Sequence, residues 1–332
     1  MSTERFKMVL RSGLTAGALT LALPGVGMSE SVRAVAPEQP RRLAPKALGQ
    51  DGRITLTPAF SPDGRTMYFA QSECGSIGDC PQRLKRSTLG AAGWSKPRLV
   101  PLPQDARVDY PSVTPDGKRL LFSWAAPRAR HVGRDVGVDF DLYSLDLADA
   151  SAIPKPLDTA DINRIRGGAV RKLRYVHNET GASLMRNGDL YFWTERLDGI
   201  GERDVYLAPN DGRGGFRTAR PLPHPINSKD RDDGAWVHPD GKLMLITYDA
   251  RGGSGGSDIF VSRKEGAVWS RPVNLGPTVN SPSSDFSARI TPDGRTLVFT
   301  STRPFDRRAT GLLQVWAVPT ASVPALRLDL SN

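Results

Sequence analysis

Three carboxylates, Glu179, Asp232 and Asp285, recur along the chain, and each is followed within twenty residues by an arginine: Arg196, Arg251 or Arg303. Two carboxylates flanking a sugar linkage are what glycoside hydrolysis requires, and a guanidinium fork binds carboxylate or phosphate. The recurrence also has a plainer meaning, because features present in several copies of a repeat usually maintain the repeat. Gly252-Gly253-Ser254-Gly255-Gly256 matches G-x-S-x-G, but a nucleophile elbow needs a strand before it and a helix after it, and this stretch sits in a glycine-rich loop. The four histidines, His131, His177, His224 and His238, show no H-E-x-x-H spacing. No catalytic residue, metal site or cofactor is therefore assigned, and an enzyme is the alternative to a binding module.

A second group of residues does not recur. Arg128, Arg130 and Arg134, with His131, fall in 126–139; Arg164, Arg166, Arg171, Lys172, Arg174 and Tyr175, with His177, fall in 164–177. Such a local excess of positive charge suits an anionic partner. Runs of charge are also often just solvated loops.

The elements that position these residues are repeats. TPAFSPDGRTMYF (57–69), YPSVTPDGKRLLF (110–122), GAWVHPDGKLMLI (234–246) and SARITPDGRTLVF (287–299) align directly; GASLMRNGDLYF (181–192) replaces Pro-Asp by Arg-Asn. The turn markers Asp63, Asp116, Asn187, Asp240 and Asp293 are separated by 53, 71, 53 and 53 residues. Pro presets φ, Asp bonds nearby backbone and Gly accepts positive φ, so each copy predicts a hairpin between alternating apolar runs. A third strand is expected at Asp141-Leu142-Tyr143, Asp204-Val205-Tyr206, Asp258-Ile259-Phe260 and Val315-Trp316. A fourth is expected near Gly93-Trp94-Ser95-Lys96-Pro97, Gly215-Phe216-Arg217 and Val268-Trp269-Ser270-Arg271-Pro272. Four strands at a period near fifty define a propeller blade, and the fold expected is all-β, a β-propeller of five blades with six as the alternative. Eight residues before each marker stand Thr55, Val108, Glu179, Asp232 and Asp285, with Asp109 one place off in the second copy. These should ring the channel mouth, and the arginines of the next loop should face them. The two basic insertions fall on the same rim.

The SPDGRTMYF-type repeat, with DIF and WSRPVNLGPTVNSP following, resembles the WD40-like PD-type repeats of TolB-like periplasmic propellers over residues ~45–320. The resemblance implies the fold and an envelope location; such propellers more often have six blades. TolB itself carries a further N-terminal α/β domain, for which only about twenty residues would be available. Pro45-Lys46-Ala47-Leu48-Gly49 resembles Pro272-Val273-Asn274-Leu275-Gly276, so an N-terminal strand is expected to complete the last blade. The domains expected are a signal peptide over 1–34, a linker over 35–44, the propeller over 45–322, and a tail or last strand over 323–332.

Arg5, Lys7 and Arg11 precede a mildly apolar run from Leu14 to Val26, and Val32-Arg33-Ala34 offers small residues for cleavage after Ala34. The alternative is a disordered tail. Cleavage would lower the net charge from +10 to +8, since residues 1–34 hold four basic and two acidic side chains. In an exported chain Cys74 and Cys80 are expected to form a disulfide. The expected location is periplasmic or secreted, with an envelope protein or anionic glycan as partner, no nucleic acid, no membrane embedding, and a monomeric state.

Overall fold

The computed structural model describes residues 38–77, 80–103, 106–126, 139–164, 178–196, 198–249, 252–306 and 311–327. They form five antiparallel sheets and almost no helix. Each expected hairpin supplies the two inner strands of a blade. The innermost strands are Thr55–Phe60, Val108–Val113, Glu179–Leu184, Asp232–Val237 and Asp285–Ile290. Each touches its counterpart in the next blade, and the fifth touches the first. The ring is closed with five blades.

The turns follow from their sequence. In the first blade the Asp63 carboxylate accepts from the Ser61 hydroxyl at 2.5 Å and the Arg65 N–H at 3.0 Å, while Gly64 takes φ 70°. Thr114 with Asp116 and Thr291 with Asp293 repeat the arrangement. These hydrogen bonds hold all three aspartates below the usual carboxylate range.

Faces of neighbouring blades bury the core. Along the second strand of blade 2, Leu120, Phe122 and Trp124 pack toward Tyr68 and Leu84 of blade 1, whereas Leu121 joins Phe192 and Tyr206 of blade 3. This period of two is that of a strand buried on both faces. Trp193, Met244 and Tyr248 fill the seam between blades 3 and 4; Trp236, Phe299 and Trp316 fill that between 4 and 5.

Two expectations shift. The segments Gly93–Trp94 and Val268–Trp269 only extend a hairpin at the end of the third strand; the outer strands follow at once, as Arg98–Leu99 and Val273–Asn274. Phe216 makes a single bridge to Asn210, and the outer strand of blade 3 is Arg220–Pro221. An N-terminal strand does close the ring, but it is Arg41–Arg42, paired with Trp316 and Ala317 of the last blade. Pro45–Leu48 is instead one helical turn. The hydrogen bonds explain the offset: Leu43 N–H donates to Val315 O at 2.9 Å, as Leu275 N–H does to Ile259 O at 3.1 Å. Leu43, and not Leu48, occupies the place of Leu275. After the last strand, Gln314–Pro319, the described tail forms two 3-10 turns.

Candidate functional site

The five rim positions predicted from the turn markers are the first residues of the five innermost strands. The carboxylates among them are fully buried. Glu179 Oε1 accepts from Arg196 Nη2 at 3.1 Å, from its Nε at 3.2 Å and from the Thr194 hydroxyl at 3.2 Å. The same guanidinium donates to the carbonyls of Asp161 and Ile162, and lies over Tyr206 at 4.9 Å. In blade 5, Arg303 repeats the pattern, donating to Asp285 Oδ1 at 2.7 Å and to the Val279 carbonyl, with Trp316 beneath it at 5.3 Å. Asp232 accepts from the hydroxyl and backbone N–H of Ser228, as Asp285 does from Ser281. Arg251 lies outside the described residues.

Each described arginine thus ties an inner-strand carboxylate to the connection that enters its blade. Burial is the largest influence on Glu179 and pushes its carboxyl well above the usual range, although Arg196 opposes it. Asp204 and Asp258 are pushed up by burial as well; they cap the loops before their strands, Asp204 accepting from Ile200 N–H at 2.7 Å. Asp109, fully buried and pushed up, accepts from the Thr57 hydroxyl at 2.8 Å and lies 3.7 Å from Arg107.

Beside these pairs stands a buried amide that the sequence reading missed. Asn163, Asn227 and Asn280 each accept from and donate to one residue of a third strand: Leu142, Val205 and Ile259. Gln50 plays the part in blade 5, accepting from Val315 N–H at 2.8 Å. The visible signal was Asn-Ser ahead of the rim aspartate, in INSKDRD (226–232) and VNSPSSD (279–285).

Of the basic group, Arg164 is described. It is held by Asp161, with Nε to Oδ1 at 3.0 Å, and by Asp198 at 2.5 Å, and these partners raise its pKa further. Arg128, Arg130, Arg134, Arg166, Arg171, Lys172, Arg174 and Tyr175 lie outside the described residues. The ends of their two segments meet: Phe140 N–H donates to Asn178 Oδ1 at 2.7 Å, and Glu179 N–H donates to Phe140 O at 2.8 Å. Cys74 and Cys80 form a disulfide in the loop between the second and third strands of blade 1. Among the described residues no cluster of three His, Cys, Asp or Glu could hold a metal, and no helix is long and apolar enough to cross a membrane.

At the opposite end of the ring, where the hairpin turns gather, a pocket is lined by residues from all five blades, including Phe60, Ser112, Arg186, Trp236 and Arg289. It therefore lies on the axis.

No family model matches the sequence, and no curated protein is similar to it. Among solved structures the chain is similar to a TolB-type protein from Agrobacterium tumefaciens at 16% identity and TM-score 0.47, covering 80% of this chain and 90% of that one. It is similar to TolB from Acinetobacter baumannii at 17% identity and TM-score 0.44, covering 80% and 54%. A family 117 glycoside hydrolase from Zobellia galactanivorans gives 13% identity and TM-score 0.47, covering 85% and 90%. Likenesses this distant carry no information about activity.

Proposed function

We propose that the protein is an exported propeller acting as a binding module, and that it takes an anionic envelope partner, a protein or a glycan, on the rim where the basic insertions leave the ring. The observation that carries this reading is the stitch between Phe140, Asn178 and Glu179. The described chain resumes at Asp139 after one insertion and at Asn178 after the other, and these two return points lie side by side. Their sequences hold seven arginines and lysines against one aspartate, Asp135. A field of that sign attracts anions and weakens with salt. The disulfide suits an oxidising compartment, and the basic and apolar N-terminal stretch suits export with cleavage after Ala34. The TolB-like kinship of the Pro-Asp-Gly repeats belongs to the same proposal.

The test is capture from envelope extract on the mature protein, at low and high salt, beside a bait with Arg128, Arg130, Arg171, Lys172 and Arg174 replaced by Ser. The expected result is one partner, identified by mass, that the native bait retains, salt releases and the substituted bait loses. Equal retention by both baits, or retention by neither, rules out the basic rim.

A further inference from the structure

Among the described residues, the buried Arg196 and the half-buried Arg303 have counter-charges, and the buried Arg289 has none. Arg196 sits on Glu179 and Arg303 on Asp285. Arg289, the fifth residue of the innermost strand of blade 5, is only 8% exposed. Among the described residues it makes neither a hydrogen bond nor an ion pair, and no carboxylate lines the pocket it enters. Taking an unpaired charge out of water costs several kcal/mol. Burial pulls its pKa down to about 10 with no opposing partner, which still leaves it protonated at neutral pH.

Two departures from the repeat converge on this pocket. The residues equivalent to Arg289 in the other blades are Ala59, Ser112, Ser183 and Trp236, so three small side chains leave room for one long one. The turn prolines Pro62, Pro115, Pro239 and Pro292 line the mouth, and in blade 3 their place is taken by Arg186. A feature that breaks the repeat at both positions, and brings a guanidinium each time, is not needed to maintain the repeat. The hydroxyl of Ser112, half a ring away, has no hydrogen-bond partner among the described residues. Phe60 and Trp236 supply apolar wall. The pocket offers about 120 Å³, well beyond the ~10–15 Å³ that admits one water and too small for a polymer.

We infer that this axial pocket binds a small oxyanion, a carboxylate or phosphate group, as the counter-charge of Arg289, with Arg186 guarding the entrance. Arg289 offers a planar fork of donors suited to two oxygens at once, and the aromatic wall accommodates a short carbon skeleton. The site is at the far end of the ring from the basic insertions and stands independently of the reading given for them.

Calorimetry and thermal melts of the mature chain test it with three probes: benzoate, its uncharged analogue benzamide, and inorganic phosphate, at ionic strength matched with sodium chloride. At ten times its Kd, benzoate or phosphate should raise the melting midpoint by about 2–5 °C, and benzamide should not. Response to benzoate would assign an organic acid; response to phosphate alone would assign a phosphate. Arg289→Met should abolish the shift and melt no lower than the parent, because it removes an uncompensated charge. Arg186→Gln, at an exposed position, should weaken binding about three- to tenfold while the fold is kept. The inference is overturned if neither anion binds, if benzamide matches benzoate, or if Arg289→Met binds as the parent does.

Discussion

A carboxylate in a propeller seam answers to two opposing influences, burial and whatever cations reach it, and Asp109 shows which prevails. Desolvation raises its pKa in spite of Arg107 and the hydrogen bonds donated by Thr57, Tyr110 and Gln82. A carboxyl whose folded pKa is raised contributes stability that is fully present below its unfolded value and is lost as pH rises through the folded value. Asp109→Asn keeps acceptors for the Thr57 hydroxyl and the Tyr110 N–H and does not titrate. The advantage of the parent over this variant should therefore be larger at pH 4 than at pH 7, as read by urea unfolding at both. A gap that widens toward neutral pH would mean that Arg107 prevails. At this scale the sequence disclosed which residues recur, and Glu179, Asp232 and Asp285 each open an innermost strand, where all three are buried. It disclosed nothing of Arg289, whose neighbours in an alignment look ordinary; its isolation exists only once five strands surround it.

The innermost strands share a feature at the scale of the element. In every blade the third residue has positive φ: Thr57, Tyr110, Gly181, Gly234 and Ser287. The pairing register slips there in all five, which marks a β-bulge. Glycine adopts this conformation freely, and other residues lose roughly 1–2 kcal/mol. Ser287 is strained at φ 52° and its buried hydroxyl has no partner, so Ser287→Gly should stabilise the protein by about 1 kcal/mol, the greater freedom of glycine in the unfolded chain offsetting part of the gain. Gly181 is the opposite case. Its missing Cβ leaves the space that the Trp193 indole fills, so Gly181→Ala should cost about 2 kcal/mol or more, from strain and overpacking together. Chemical denaturation reads both. Hairpins, turn markers and third strands were legible because turn chemistry and alternation are local. The bulges were not, since Thr, Tyr and Ser at the third position carry no local sign of a left-handed backbone. Nor was the position of the clasp, because Leu48-Gly49 imitates Leu275-Gly276 in letters while Leu43 does so in hydrogen bonds.

Over the whole molecule, the ring is closed by a two-residue strand. Arg41–Arg42 joins the last blade, Arg42 stacks on Phe305 at 3.8 Å and pairs with Asp51 at 3.0 Å, and Gln50 completes the seam. A variant beginning at Pro45 forfeits two ladder rungs and the Leu43 hydrogen bond. At about 1 kcal/mol each, its midpoint should fall by roughly 6–12 °C. Amide exchange should accelerate first in Gln314–Pro319. Unchanged exchange in that strand would mean that the ring holds without its clasp.

The same pairing sets an order of events. Arg42 and Trp316 are partners in one sheet although almost the whole chain lies between them. Pairings so distant form late, and during synthesis the residues made earliest must wait for those made last. Until then every nascent chain has an open sheet edge at each end of the array. The hazard peculiar to this design is that the waiting strand of one molecule meets the unfinished blade of another, and crowding among growing chains will favour linked rings over single ones.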